Sequence, residues 1–326
     1  YQVIGPLIPY EVNLSNQLLG LKIYKKILGV IPTCVLINEM AFSSGVVDFY
    51  IEAGFETVLM ERNNAALALN NKSLRDVDKI KFLQGTAENK IKVLWTDSIM
   101  FQRLQRYIHN DISLSTYYKD LNDYHLKFTD TLPIYSNDAE VFNFRPGRFS
   151  QEAKIEHDEW DKIQGLFNAL SQNGLEFQLP CEITNSSDYL GSQPSLKVTS
   201  CSYPAIVKKQ PKYNITRWAL TGRDDIWINT MCFRIFAQLR ELDGQEIQAE
   251  GKRLLCELWS SDLRTHITER RWVAAKEKIL SLCEDAGIDT QVRLADSTHL
   301  LTNDHPQNLF SGTVEKDDDS RMLIIK

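Results

Sequence analysis

Residues 34–60, CVLINEMAFSSGVVDFYIEAGFETVLM, contain an apolar run, a helical pattern and a second apolar run. We interpret Cys34–Ile37 as a buried strand, Val46–Ala53 as a helix and Phe55–Met60 as the next strand. Gly54 ends the helix, because glycine readily takes the left-handed conformation found at helix ends. Neither apolar run alternates with polar residues, which is typical of parallel strands buried on both faces. The stretch therefore predicts a strand–helix–strand unit of an α/β protein.

The same alternation continues on both sides of this unit. Before it, Glu11–Leu28 has apolar residues at helical spacing, and Gly29 ends the predicted helix. After it we predict a strand, a helix and a fourth strand, which are Lys90–Trp95, Ser98–His109 and Leu132–Ser136. This order favours a mostly parallel sheet flanked by helices.

The last part of the chain has helical patterns and few strand signals. Helices are predicted at Ile226–Glu241, Ile247–Ser260 and Glu269–Ala286. The residues before them, 186–214, are rich in Ser, Pro, Lys and Tyr and predict a long loop. We therefore divide the chain into an α/β domain, residues 1–212, and a helical domain, residues 213–326, packed against it.

The composition excludes several classes of protein. Hydrophobic residues make up 43% of the 326 residues and charged residues 25%, as in soluble globular proteins. The net charge of -6 predicts no binding to nucleic acid or to anionic membranes, and no apolar run is long enough to span a bilayer.

The six cysteines form no C-x-x-C pair. An even count permits disulfides, but in a chain of this size we expect buried free thiols and a cytoplasmic location. No glycine-rich phosphate loop follows the early strands, so we expect no nucleotide cofactor.

Three polar residues follow three of the predicted strands. They are Glu39, Arg62 and Asp138. In parallel α/β folds the chemistry collects at the carboxyl ends of the strands, so these residues are candidates for one shared site. Each has a simpler interpretation as well. Glu39 equally suits a charge at the start of the following helix, and Asp138 suits a helix N-cap.

Residues 135–148, YSNDAEVFNFRPGR, form the densest polar cluster of the chain. They combine carboxylates, amides, aromatic rings and two arginines directly after a predicted strand. Cleavage of a glycosidic bond requires two carboxyl groups on either side of the bond. Aromatic faces stack on sugar rings, and amide or arginine side chains hold hydroxyl groups. Glu39 and Asp138 are therefore candidates for a pair of catalytic carboxylates.

Three stretches of this chain resemble family 57 of the glycoside hydrolases. Residues 37–43, 52–55 and 62–65 (INEMAFS, EAGF and RNNA) are similar to the region around the family's nucleophile. Residues 135–149 resemble its acid/base motif, and residues 254–262, LLCELWSSD, resemble its helical Ser-Asp-Trp motif. The resemblance covers about Glu11 to Trp272.

The resemblance implies a fold, an activity and a set of site residues. The family has an incomplete (β/α)7 barrel followed by a helical domain, and its members are retaining α-glucan hydrolases, branching enzymes and glucanotransferases. Glu39 takes the nucleophile position and Asp138 the acid/base position. We expect a polysaccharide or oligosaccharide substrate and no metal or other cofactor. The expected substrate-binding residues are Asn137, Glu140, Arg145, Arg62, Trp259, Asp262 and His266.

The chain also departs from the family pattern. The family's first motif, His-Gln-Pro on the opening strand, is absent, which we interpret as a truncated amino terminus or a divergent member. Ala139 and Asn143 replace glycines, and Leu263 replaces the tryptophan after Ser-Asp. These departures leave open a non-catalytic barrel that binds glycan or takes part in polysaccharide assembly. A metal-dependent polysaccharide deacetylase is a weaker alternative, because the six histidines include no H-x-x-x-H spacing.

Overall fold

A mixed α/β architecture runs through the chain. The computed structural model describes residues 1–69, 74–86, 88–127, 131–137, 141–145, 153–186, 194–198, 215–264, 268–291, 314–316 and 323–325. Its strands are β1 (Cys34–Leu36), β2 (Thr57–Glu61), β3 (Phe82–Gln84), β4 (Lys90–Thr96), β5 (Phe144–Arg145), β6 (Lys154–Ile155), β7 (Ser195–Leu196), β8 (Val314–Lys316) and β9 (Leu323–Ile325). Its helices are α1 (Tyr10–Leu28), α2 (Ser44–Glu52), α3 (Arg62–Ala68), α4 (Leu74–Asp78), α5 (Ser98–Ile108), α6 (Leu114–Lys127), α7 (Glu159–Gln172), α8 (Pro180–Thr184), α9 (Thr216–Ala219), α10 (Asp225–Arg240), α11 (Gln245–Leu258) and α12 (Glu269–Asp285).

Five strands form the main sheet, in the order β1-β2-β4-β3-β7. Strands β1, β2 and β4 are parallel neighbours, as the sequence predicts. Strand β3 is antiparallel to β4 and parallel to β7, which the sequence did not predict. The sheet is therefore dominated by parallel pairs around β2, and it places the carboxyl ends of β1, β2 and β4 at one edge.

The predicted fourth strand at Leu132–Ser136 is wrong. These residues have no regular secondary structure. Pro133 has no N–H to donate to a sheet, and the amide of Ile134 bonds back to the carbonyl of Leu132 at 3.0 Å. This tight turn around Pro133 takes up the backbone groups that a strand would have paired with a neighbour.

The two faces of the parallel strands have different environments. On one face, Val58 and Val93 are fully buried and pack against α2. On the other face, Leu36, Leu59 and Leu94 lie side by side in register. Leu36 is 41% exposed because β1 is the edge strand of the described sheet. The same face is buried further inward, at Thr57 and Glu61 of β2. Burial on both faces, as predicted, is therefore correct for the central strand β2 but not for the edge strand β1.

The predicted helices are present, and their ends differ from the prediction by at most two residues. Helix α1 ends at Gly29, whose φ of 73° is left-handed, and the Gly29 amide caps the carbonyl of Lys25. Helices α10, α11 and α12 form a second core around Ile228, Leu255 and Ile279, and Val12 of α1 belongs to the same core. The helical segment thus packs against the first helix of the chain. A domain boundary at 212/213 stays a prediction.

The cysteines of the described ranges are free. Cys232, Cys256 and Cys283 are buried, while Cys34 and Cys181 are half-buried. Cys201 lies outside the described residues. Among the helices that the structure describes, none has the length and apolar character required to cross a bilayer.

Candidate active site

Glu39 lies in a tight turn directly after β1. The turn is a single 3-10 turn, Asn38–Met40, in which both Glu39 (φ 50°) and Met40 (φ 57°) are left-handed. A residue other than glycine in this left-handed conformation costs about 1–2 kcal/mol. Strained backbone of this kind often marks a functional site. Helix α2 begins only at Ser44, so Glu39 is not a charge in its first turn.

The sheet register brings the exits of three strands to the same edge. Leu36 of β1 pairs with Leu59 of β2, and the amide of Ile37 bonds to the carbonyl of Leu59 at 3.1 Å. Glu39 and Arg62 therefore follow adjacent strands at one edge of the sheet. Asp138, the third predicted member of the site, lies outside the described residues, as do Glu140 and His266.

Arg62 is buried beneath this edge. Only 1% of the residue is exposed. Its Nη2 lies 2.9 Å from Asp78 Oδ1, its Nε lies 3.9 Å from Asp97 Oδ2, and the guanidinium stacks over the ring of Tyr124 at 5.2 Å. The expected role of Arg62 in substrate binding is thus corrected, because its guanidinium holds buried carboxylates and has no open surface.

Two buried carboxylates at this edge were missed by sequence reasoning. Glu61 is the last residue of β2, and Asp97 follows β4. Glu61 accepts a hydrogen bond from the Ser98 amide at 2.8 Å and another from Asn63 Nδ2. Burial, and then the charge of Asp97, raise the pKa of Glu61 to about 7. The strand-exit rule that selects Glu39 also selects both residues, once the strands are taken to end at Glu61 and Thr96.

The chain on both sides of Asp138 is held by an aromatic cluster. The rings of Tyr135 and Phe142 lie 5.9 Å apart, and both contact Phe101, at 5.2 and 6.0 Å. Trp160 of α7 stacks on Tyr135 and meets Phe142 edge to face. The chain that leaves Tyr135 therefore returns beside it at Phe142. Asn137, expected to bind substrate, is exposed within this stretch.

Arg145 is committed to an ion pair. Its guanidinium binds both carboxylate oxygens of Glu159, and its Nη2 lies 2.7 Å from Nε2 of His109. Its Nη1 also donates to the carbonyl of Val141 at 3.1 Å. Within the protein, Arg145 ties the chain after Phe142 to α7, and its contact with substrate stays a prediction.

The candidates from the helical segment separate into a buried residue and an exposed one. Trp259 is 1% exposed and packs edge to face on Phe233 at 5.0 Å, so its expected role in substrate binding is corrected to a core role. Asp262 is exposed in the short turn Ser261–Leu263. Val3 pairs with Ser260, and its carbonyl accepts a bond from Asn38 Nδ2 at 2.8 Å. The Asp262 turn is thus joined to the Glu39 turn through Val3.

A cleft of about 880 Å³ lies on the leucine face of the sheet. Its floor contains Leu59, Leu94 and Thr96, and Tyr135 forms part of its wall. The rest of the lining includes aliphatic residues, and it also contains aromatic and amide side chains, which are Tyr118, Phe167, Phe177, Asn122, Asn173 and Gln178. Mixed aromatic and amide linings of this kind suit ligands with apolar faces and hydroxyl edges. Glu39 is not among the residues that line the cleft.

Residues 1–188 match the family model described as glycosyl hydrolase family 57. This is more than half of the chain. The chain belongs to glycosyl hydrolase family 57. The family 57 match includes β1, β2 and β4 and therefore Glu39, Arg62 and the chain around Asp138. A search of curated protein sequences gave no match.

Two solved structures are similar to this family 57 chain, and the first of them supports its fold. The 4-alpha-glucanotransferase from Thermococcus litoralis matches 87% of this chain and 47% of its own length, with 16% identity and a TM-score of 0.57. A novel exo-type maltose-forming amylase from Pyrococcus sp. ST04 matches 89% of this chain and 51% of its own length, with 10% identity and a TM-score of 0.48. The chain spans about half the length of these structures.

One departure from the family 57 pattern has a structural explanation. Asn143 stands where the family's acid/base motif has glycine, and its φ is 58°. Glycine takes this left-handed conformation without cost, and asparagine is one of the few other residues that tolerate it. The replacement is therefore compatible with a left-handed backbone at this position. Ala139, which replaces the other glycine, lies outside the described residues.

Proposed function

We propose that this chain is the catalytic part of a retaining enzyme that acts on α-linked glucan or a related polysaccharide. It transfers the glycosyl group either to water, as a hydrolase, or to an acceptor sugar, as a transferase. The observation that carries the proposal is the position of Glu39 in a left-handed turn at a strand exit of a family 57 chain. The proposed framework is the incomplete (β/α)7 barrel of the family, residues 1–212, with helical residues 213–326 packed against its mouth.

The proposed reaction has two steps. Glu39 attacks the anomeric carbon and forms a glycosyl ester, while Asp138 donates a proton to the leaving oxygen. Asp138 then takes a proton from water or from a sugar hydroxyl, which attacks the ester and releases Glu39. The two inversions at the anomeric carbon preserve its configuration. Asn137, Glu140, Arg145, Asp262 and His266 remain the proposed contacts to the sugar. The cytoplasmic location also remains a prediction.

The buried edge beneath Glu39 supports this proposal. Two inner carboxylates, Asp78 and Asp97, lie within 4 Å of the Arg62 guanidinium. This arrangement fixes the ends of β2 and β4 beside the exit of β1. A nucleophile on a turn requires such rigid surroundings, because a displacement of about 1 Å lowers the rate roughly a hundredfold.

Substitution of Glu39 tests the function. Purified wild-type protein and the Glu39→Gln variant are incubated with maltooligosaccharides, amylose, glycogen and capsule-type polysaccharides, and products are quantified by chromatography. We expect Glu39→Gln to lower the rate at least about a hundredfold, which is the effect expected when a catalytic carboxylate is removed. Asp138→Asn is expected to do the same. Glu56→Gln, on an exposed glutamate just before β2, is the matched control and retains the wild-type rate.

The anomeric form of the first product tests the mechanism. Proton NMR of a fresh reaction shows the α-anomer before mutarotation if the enzyme retains configuration. Initial β-anomer contradicts the double displacement. Binding of glucan by both wild type and Glu39→Gln, with no turnover by wild type, supports the non-catalytic alternative instead.

A further inference from the structure

The amino end of α7 is capped by a residue that lies 16 positions before the helix begins. Helix α7 starts at Glu159, and the preceding Asp158 has a φ of 67° and makes no capping bond with its side chain. Instead, Oδ1 of Asn143 accepts hydrogen bonds from the amides of Glu159, at 3.0 Å, and Trp160, at 3.4 Å. These amides have no partner within the helix, so Asn143 takes the place of an N-cap.

The side chain of Glu159 in turn accepts hydrogen bonds from Asn143 and Arg145. Its Oε2 accepts a hydrogen bond from the backbone amide of Asn143 at 2.7 Å, and both carboxylate oxygens bind Arg145. Burial opposes the charge of Glu159, but the bonds from Arg145 and from the Asn143 amide outweigh it and lower the pKa of Glu159. The carboxylate is therefore ionised at neutral pH, and the pair is joined by bonds in both directions.

This reciprocal pair holds the chain at Asn143, about five residues after the candidate acid/base residue Asp138. Phe142, next to Asn143, is 2% exposed and lies within the cluster of Tyr135, Phe101 and Trp160. The chain before Asp138 is thus held at Tyr135, and the chain after it is held at Phe142 and Asn143. Each contact fixes the backbone on one side of Asp138 against α5 or α7.

We propose that Asn143 and Glu159 are positioning residues for the acid/base step, which they serve by tying the acid/base motif to α7. The inference rests on the proposed function and assigns Asn143 a role that a glycine at this position lacks. With glycine at position 143, the backbone amide would still bond to Glu159. The side chain of Asn143 adds the cap on α7, so asparagine joins the motif to the helix through two sets of hydrogen bonds where glycine makes one.

The test uses the leaving group of the donor. A maltooligosaccharide requires protonation of its leaving oxygen, whereas a maltosyl fluoride releases fluoride without general acid help. The ratio kcat/KM reports the steps up to formation of the glycosyl ester, in which Asp138 acts as the acid. Asn143→Gly keeps the left-handed backbone and the amide but removes the cap. We expect kcat/KM of Asn143→Gly to fall about ten- to a hundredfold on the oligosaccharide and to stay within about twofold on the fluoride.

Lys162 offers a matched control on the same helix. Its Nζ donates to the carbonyls of Tyr107, at 2.8 Å, and Ile108, at 3.2 Å, so it ties α7 to α5 without touching the acid/base motif. Lys162→Met is expected to leave both kcat/KM values within about twofold of wild type. Circular dichroism and thermal unfolding check that each variant is folded.

The outcomes separate the inference from the proposed function. Equal losses on both donors, or no loss on either, overturn the positioning role while the wild-type activity stands. A loss in Lys162→Met equal to that in Asn143→Gly also overturns it, because the effect then belongs to α7 as a whole. A wild-type protein that converts neither donor overturns the proposed function, and the inference that rests on it fails too.

Discussion

The side-chain amide of Asn38 donates a hydrogen bond to the backbone carbonyl of Val3 at 2.8 Å. Val3 also pairs with Ser260, and the amide of Ser261 bonds to the carbonyl of Gln2 at 2.7 Å. One short segment at the start of the chain therefore joins the turn that carries Glu39 to the turn that carries Asp262. The two turns are far apart in sequence, and their relative position depends on this segment.

Removal of the Asn38 amide tests this connection. We expect Asn38→Ala to lower the free energy of unfolding by about 1–3 kcal/mol, because the Val3 carbonyl loses its side-chain donor in a partly buried setting. Urea unfolding followed by circular dichroism measures the change. Asn173→Ala is the control, since its side chain bonds to Ala169 on an exposed helix end, and it is expected to cost less than about 0.5 kcal/mol. Equal costs for the two variants would contradict a structural role for the Asn38 bond.

The raised pKa of Glu61 predicts that the stability of the folded protein depends on pH. Its pKa is raised by burial and by Asp97 to about 7 in the folded protein, from an ordinary value of 4.5. Between about pH 4.5 and 7 the unfolded chain therefore releases a proton that the folded protein keeps, so the folded state loses stability as pH rises. Below this window the group is protonated in both states and has no effect.

Glu61→Gln removes the titrating group and keeps the shape of the side chain. We expect the variant to be more stable than wild type by about 1–3 kcal/mol at pH 8, and the difference to shrink towards zero near pH 4.5. Urea unfolding at both pH values measures it, with the exposed Glu56→Gln as the control. A stability difference that is the same at pH 4.5 and pH 8 would show that burial of the Glu61 charge does not cause it.

Local signals were sufficient to predict much of the fold. Gly29 and Gly54 end their helices with φ of 73° and 98°, as the sequence indicates. The apolar runs that became β1, β2 and β4 are long enough and uniform enough to identify a parallel sheet. Leu132–Ser136 has a similar apolar character, but Pro133 lies at the centre of a local turn. The spacing of apolar residues does not reveal that proline lacks the N–H a strand would donate.

The site was harder to predict because it depends on partners distant in sequence. Arg62 and Arg145 are both arginines beside candidate carboxylates, yet Asp78 and Glu159 occupy their guanidinium groups. No spacing in the sequence reveals these pairs. Trp259 has the same difficulty, since a tryptophan at a helix end suits a sugar platform or a core equally well until its neighbours are known. A shift of one residue in the end of β2 was enough to hide Glu61.

Arg62 gives the last prediction, which concerns the buried charges beneath the strand exits. Its side chain is 2% exposed, and those of Asp78 and Asp97 are 15% and 2% exposed. Burial raises the pKa of Asp78 to about 6, even though Arg62 opposes the shift. Removal of the cation therefore leaves carboxylates in a poorly solvated place, which is far more costly than breaking a surface ion pair.

We expect Arg62→Met to lower the free energy of unfolding at pH 8 by about 3–5 kcal/mol. Arg103→Met, which breaks the half-exposed pair with Asp120, is the matched control and is expected to cost less than about 1 kcal/mol. The double variant Arg62→Met with Asp78→Asn should recover part of the loss, because the neutral amide no longer requires a cation. Urea unfolding of the four proteins measures these values. If Arg62→Met costs no more than Arg103→Met, the buried charges do not depend on Arg62, and the edge of the sheet beneath Glu39 is held by other contacts.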